Sequence, residues 1–198
     1  MITLDELNSS MVEIIHHTRE NYPVLAGILI VLWGAFFLEA LSGYRLLYLG
    51  IRPRHLSGLP GIVFAPLLHA NFNHLFFNTI PLIVLSNFLL IDGLNYFLAV
   101  TAVITLISGV LIWCFAKPGV HVGASAVITG YWGLLVTDVY NQGTLTALIL
   151  GAICIYYFAG IFLGIFPRAK GVSWEGHLFG LAAGIAASFI VTGNSLPF

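Results

Sequence analysis

The chain has 198 residues, a mean hydropathy of +0.99, 59% hydrophobic residues and only 8% charged ones. Soluble domains carry about 25% charge, so this inventory builds no water-facing surface, and the soluble, disordered and nucleic-acid-binding classes are excluded. The net charge of -1, from 7 Lys+Arg against 8 Asp+Glu, leaves no footprint for a phosphate backbone. A hydrocarbon core of ~30 Å takes about 20 apolar residues per helix, which limits the length to about six or seven spans. The chain reads as a compact polytopic membrane protein.

Residues 1–22 read as an N-terminal segment of their own. Asp5, Glu6, Glu13 and Glu20 against a single Arg19 do not fit a cleavable signal. Leu4, Leu7, Met11, Ile14 and Ile15 recur at helical spacing, as in an amphipathic surface helix. A membrane core is expected over 23–192. Its first span runs from Pro23 to Leu41, followed by a polar loop, Ser42 to Pro60, with Tyr44, Arg45, Arg52 and Arg54. That loop is long enough to carry structure of its own.

The second apolar segment, Phe64 to Leu90, contains His69, Asn71, Asn73, His74, Asn78 and Asn87 and closes on the Asp92-Gly93 turn signal. A third span, Leu94 to Phe115, ends at Lys117-Pro118-Gly119. The fourth helix begins near Ala124 and ends near Asp138, short for a full crossing. The fifth spans Thr144 to Phe166, before the Pro167 to Gly171 loop, and the sixth spans Trp174 to Val191, with a short tail over 193–198. The fold class is all-α, a six-helix polytopic bundle. Cys114 and Cys154 lie in apolar runs and read as packing residues. The loops after the first, third and fifth helices carry Arg45, Arg52, Arg54, Lys117, Arg168 and Lys170, and the positive-inside rule assigns that side to the cytoplasm.

Polar groups at membrane depth are costly unless satisfied, so they mark candidate functional positions. His74 and Asn78, four apart, project from one helix face; alone, they read as an interhelical hydrogen-bonded pair. Ser125, in Gly123-Ala124-Ser125-Ala126, opens the fourth helix among unpaired backbone N–H groups, where an oxyanion is stabilised. Alone, it reads equally as an N-cap or a small interface residue. Gly176, Gly180 and Gly184 form a small-residue ridge for close helix packing, and His177 shares its face with Gly180 and Gly184. Together, the three segments supply a nucleophile, a base and oxyanion donors for acyl transfer.

These segments resemble the rhomboid family of intramembrane serine proteases. They match its histidine–asparagine motif on the second helix, its Gly-x-Ser motif on the fourth and its His-x-x-Gly-x-x-x-Gly motif on the sixth. The resemblance implies a six-helix rhomboid bundle whose short fourth helix bears the nucleophile. By that resemblance Ser125 is the nucleophile and His177 the base, with His74, Asn78 and the Ser125 N–H as the oxyanion hole. It implies no cofactor and no metal, single-span membrane proteins as substrates, a lipid environment, and a site opening to the periplasmic or extracellular face of a bacterial inner membrane. The positive-inside count conflicts with that orientation.

Glu175 lies about 200° around the helix from His177 and does not orient it. The chain departs from the family pattern in three places: Ala126 follows the serine where Gly is common; Thr129 stands where a Tyr often stacks on the histidine, with Tyr131 pointing elsewhere; and the Trp-Arg pair frequent in the first loop is absent from 42–60. The rival readings are a non-catalytic relative that binds membrane clients and a small transporter, which would show inverted repeats. No His-Glu-x-x-His zinc motif occurs. His69 and His74, five apart, would diverge by about 140° on one helix and make no metal pair.

Overall fold

The computed structural model describes residues 3–166 and 173–192. The expected 193–198 tail and the Pro167–Gly171 loop lie outside the described residues. The chain begins with a helix, α1 (Leu4–Glu20), opened by a capping box: the Thr3 hydroxyl accepts from Glu6 N–H at 3.2 Å, and Glu6 Oε2 accepts from Thr3 N–H at 2.9 Å. Those bonds hold the Glu6 carboxyl below its ordinary value. α1 has no fully buried residue, but its end is tied to the bundle. Asn21 Nδ2 donates to Asn87 Oδ1 at 3.1 Å, and Asn87 Nδ2 donates to Thr18 Oγ1 at 2.9 Å.

The remaining helices are α2 (Tyr22–Leu41), a one-turn α3 (Gly61–Phe64), α4 (Phe72–Leu90), α5 (Leu94–Phe115), α6 (Ser125–Gln142), α7 (Leu145–Leu163) and α8 (Trp174–Thr192). Six of them, α2 and α4 to α8, form the bundle; α2, α4, α5 and α8 are long and apolar enough to cross a membrane. α6 is less apolar because it is central. It packs against α4, α5, α7 and α8, burying Val127, Ile128, Tyr131, Leu134 and Leu135 among protein rather than lipid. The first loop has short 3₁₀ turns and one antiparallel bridge, Ile51 to His121. Its Arg54 guanidinium donates to the Cys114 and Ala116 carbonyls at 3.1 and 2.9 Å, capping the end of α5.

Two boundaries differ from the sequence reading. The 64–90 segment is not one helix: it breaks over 68–71, and α4 starts only at Phe72, where the Asn71 side chain accepts from His74 N–H at 2.9 Å as an N-cap. Hydropathy carries across that break; the cap does not show in it. α6 runs to Gln142, past the expected end near Asp138, and is still the shortest of the six at 18 residues. Asp138 is not an exit to water. It is 3% exposed, and its carboxylate accepts from Ser188 Oγ at 2.5 Å, Tyr96 Oη at 3.0 Å and Gln142 Nε2 at 3.4 Å, so the helix continues to the left-handed cap Gly143.

α6 and α8 make the most extensive helix contact in the bundle. The glycine face of α8 sets its depth. A Cβ on Gly180 would collide with the Ala126 carbonyl, and one on Gly184 with the Gly130 carbonyl. Both contacts advance by four residues on each helix, so α6 and α8 run parallel, with α8 reaching about five residues (~7.5 Å) beyond the start of α6. Gly176 has room: its nearest neighbour, Ser173 Oγ, would be 3.5 Å from a Cβ. We therefore expect Gly184→Ala to cost about 1–3 kcal/mol through overpacking, read as a lower thermal midpoint in detergent. Gly176→Ala should leave that midpoint near wild type; equal losses at both positions would contradict this packing.

Candidate active site

The site sits where α6 and α8 begin and α4 begins beside them. Ser125 is the first residue of α6, with Ala124 as its N-cap, so it lies among the first backbone N–H groups of that helix, which have no intrahelical partner. The loop before it arrives through Gly123 at φ +110°, a conformation that L side chains rarely adopt. The Gly123 N–H is fixed to the Ala65 carbonyl at 2.8 Å.

His74 and Asn78, one turn apart on α4, both reach this loop. A methyl on Gly123 would sit 2.5 and 2.6 Å from Cε1 and Nε2 of His74 and 3.5 Å from Nδ2 of Asn78. The structure thus brings together His74, Asn78 and the Gly123–Ser125 segment. Asn78 is buried; His74 and Ser125 are half-buried. The site is at the α4 end opposite Asn87 and the α1 anchor.

His177 is on the first turn of α8, one turn before Gly180, and the parallel packing of α8 on α6 sets it at the level of the α6 N-terminus. Its Nδ1 lies 2.9 Å from the Gly164 carbonyl, the turn after α7. A carbonyl oxygen only accepts, so Nδ1 carries a proton, and in the neutral ring the basic nitrogen is Nε2. This orienting group is a backbone atom, so no side-chain signal in the sequence could reveal it. Thr129 makes no contact of that kind: its hydroxyl donates to the Ser125 carbonyl at 2.7 Å. Tyr131 is buried, with its hydroxyl 2.7 Å from Thr101 Oγ1.

Glu175 turns to Lys117, with Oε1 3.7 Å from Nζ, while Lys117 also lies over the Trp174 ring at 5.6 Å. His121 makes a second tie between the loop before α6 and the start of α8. Its Nε2 donates to the Lys117 carbonyl, and its Nδ1 accepts from Ser173 Oγ, both at 3.0 Å. Beside Ser125 is a cavity with 40 Å³ of room for water, lined in part by Thr105, Ser108, His121, Ser173 and Gly176. About 10–15 Å³ suffices for one water, and these walls supply polar partners.

His69 needs a correction. It lies in the link before α4, not on that helix, so the angular argument that separated it from His74 does not apply. The two rings meet edge-on at 5.0 Å. His69 is fully buried; that burial, with the neighbouring His74 imidazole, lowers its pKa to about 4. Among the described residues, the His/Cys/Asp/Glu group with ligand atoms within 4.8 Å is His16, His17 and Glu20, on α1 and away from this site. His16 and His17 Nδ1 lie 3.4 and 3.3 Å from Glu20 Oε2, contacts one helical turn apart on an exposed helix.

Gly123→Ala combines the unfavourable φ with a collision against His74, displacing the His74 ring and the entry to Ser125. Labelling of Ser125 by a serine-reactive phosphonate should fall by at least ~100-fold, the scale of one lost oxyanion donor. Wild-type labelling of that variant would contradict the geometry.

The Rhomboid domain profile matches residues 57–194, more than half of the chain. The uncharacterized protein Rv1337 of Mycobacterium tuberculosis is 38% identical over 164 residues, covering 78% of this chain and 68% of the relative. The uncharacterized protein ML1171 of Mycobacterium leprae is 32% identical over 207 residues, covering 97% and 82%. With an all-α polytopic bundle and this match, the chain belongs to the rhomboid family, as a multi-pass membrane protein.

Proposed function

We propose that the chain is an intramembrane serine endopeptidase that hydrolyses a peptide bond in or near the transmembrane segment of another membrane protein. The observation that supports the reading is the α6–α8 contact: Gly180 and Gly184 bring a helix-start serine and an oriented histidine to within about two residues of one level. In this reading Ser125 is the nucleophile and His177 the general base, with no acidic third member, and the Gly164 carbonyl would take the orienting place that a carboxylate holds in a triad.

The reaction runs in two halves. Ser125 Oγ attacks the scissile carbonyl as His177 Nε2 takes its proton. The carbonyl electron pair moves onto oxygen, which His74, the Asn78 amide and the Ser125 N–H receive. Collapse breaks the C–N bond, His177 gives its proton to the leaving amine, and an ester remains on Ser125. Water then attacks that ester as His177 takes its proton; collapse breaks the acyl–oxygen bond, His177 returns the proton to Ser125 Oγ, and the carboxylic acid product leaves. The cavity beside Ser125, which has hydroxyl and imidazole groups in an otherwise apolar lining, has room for that water.

A substrate helix must expose its carbonyl before attack, so small or helix-breaking residues are the expected preference at the cleaved bond. Single-span membrane proteins are the substrate class, in a cell membrane, with the site toward the periplasmic or extracellular side. The basic residues that argue for the opposite topology are partly engaged within the fold: Arg54 on carbonyls, Arg52 over the Tyr48 ring at 5.0 Å, and Lys117 on Glu175.

The test is cleavage of a tagged single-span substrate by purified protein in liposomes. Wild type should cleave; Ser125→Ala and His177→Ala should not, and Asn78→Ala should lose about 10²–10³ in kcat. Cleavage that survives Ser125→Ala would overturn the mechanism. No cleavage of any substrate, with no phosphonate labelling of Ser125, would favour a client-binding relative.

A further inference from the structure

We infer that His69 is a positioning residue that fixes which end of the Asn78 amide faces the oxyanion. The inference rests on the oxyanion role proposed for Asn78.

A carboxamide is a donor at one end and an acceptor at the other, and the two ends have nearly the same shape. Turned correctly, Asn78 offers an N–H to a developing oxyanion. Turned over, it offers a carbonyl oxygen, which repels that charge. Something must hold the correct face, and the described partner of Asn78 Nδ2 is His69 Nε2 at 3.1 Å.

The polarity of that contact follows from backbone groups, which have no ambiguity. His69 Nδ1 is 3.4 Å from the Leu67 carbonyl, which can only accept; Nδ1 therefore carries the proton. His69 Nε2 receives the Ala124 N–H at 3.5 Å, which can only donate; Nε2 therefore carries the lone pair. Both contacts are long, but each has a single allowed polarity, and the two agree. An acceptor at Nε2 requires the Asn78 nitrogen, not its oxygen, to face it. One amide proton then goes to His69, and the second stays free for the oxyanion.

The ring is itself held in place. The His69 backbone N–H donates to Glu39 Oε2 at 3.1 Å, and Glu39 and His69 are both fully buried. The link 68–71 that displaces His69 from α4 is thus pinned to α2, and the imidazole reaches Asn78 from outside the helix that carries it. With Asn78 buried, its described polar partner decides which way the amide faces.

The test is a double-mutant cycle on cleavage by the full chain in liposomes. His69→Ala should lower kcat, with KM unchanged, by a factor between about ten and the 10²–10³ expected for losing Asn78 itself. In an Asn78→Ala background, His69→Ala should cost nothing further. His69→Gln, whose side-chain oxygen can accept the same N–H, should recover part of the loss, and it covers the case in which His69→Ala does not fold. Full activity in His69→Ala would overturn the inference. So would an undiminished loss in the Asn78→Ala background, since the effect would then not act through Asn78.

The imidazole ¹⁵N spectrum of histidine-labelled wild type reads the same polarity without activity. A neutral Nδ1–H tautomer at His69 is expected, and an Nε2–H tautomer would overturn the inference. Failure of wild type to cleave would count against the protease reading instead, and the spectrum still decides the hydrogen-bond polarity.

Discussion

The approach of α8 to α6 through Gly180 and Gly184 is the constraint on which the rest of the molecule depends. Between membrane helices no hydrophobic driving force exists, because lipid is as apolar as leucine, so association rests on packing and polar contacts. Here two glycines let α8 backbone meet α6 carbonyls at Ala126 and Gly130, four residues apart on each helix. The register follows from that repeat and fixes the level of His177 relative to Ser125. A side chain at either glycine would separate the helices and shift His177 relative to Ser125.

A second constraint is that polar groups buried in the bundle are costly unless they are bonded. At the site end, Glu39 holds the link before α4, and His69 reaches from that link to Asn78. At the far end, Asp138 gathers hydroxyls from α5 and α8, and Asn21 and Asn87 lock the α1–α2 corner to α4. The two ends do different work. The far network ties helices to one another, whereas the near one orients groups around a serine.

Much of this was legible in the sequence. Apolar runs gave the six bundle helices, and the glycine spacing gave the tight face of α8, because hydropathy and small-residue periodicity act locally. The misread boundaries share a cause. Asp138 looked like a helix exit and Asn71 like one more polar residue in a span, because composition does not say whether a polar group is bonded. The Asn71 cap was readable as an N-cap signal; the partners of Asp138 are 42 and 50 residues away and were not. The contact that orients His177 had no sequence signal at all, since it is a main-chain carbonyl at Gly164. His69 was misjudged because its angle was reckoned on a helix that it does not belong to.

The central claim is that α6 and α8 make Ser125 nucleophilic by setting His177 beside it. Intact-protein mass spectrometry after treatment with a fluorophosphonate probe tests it most directly, because it needs no substrate. A single adduct mapping to Ser125, lost in both Ser125→Ala and His177→Ala, is the predicted result. Labelling of Ser125 that is indifferent to His177→Ala, or an adduct at another residue in wild type, would contradict the account.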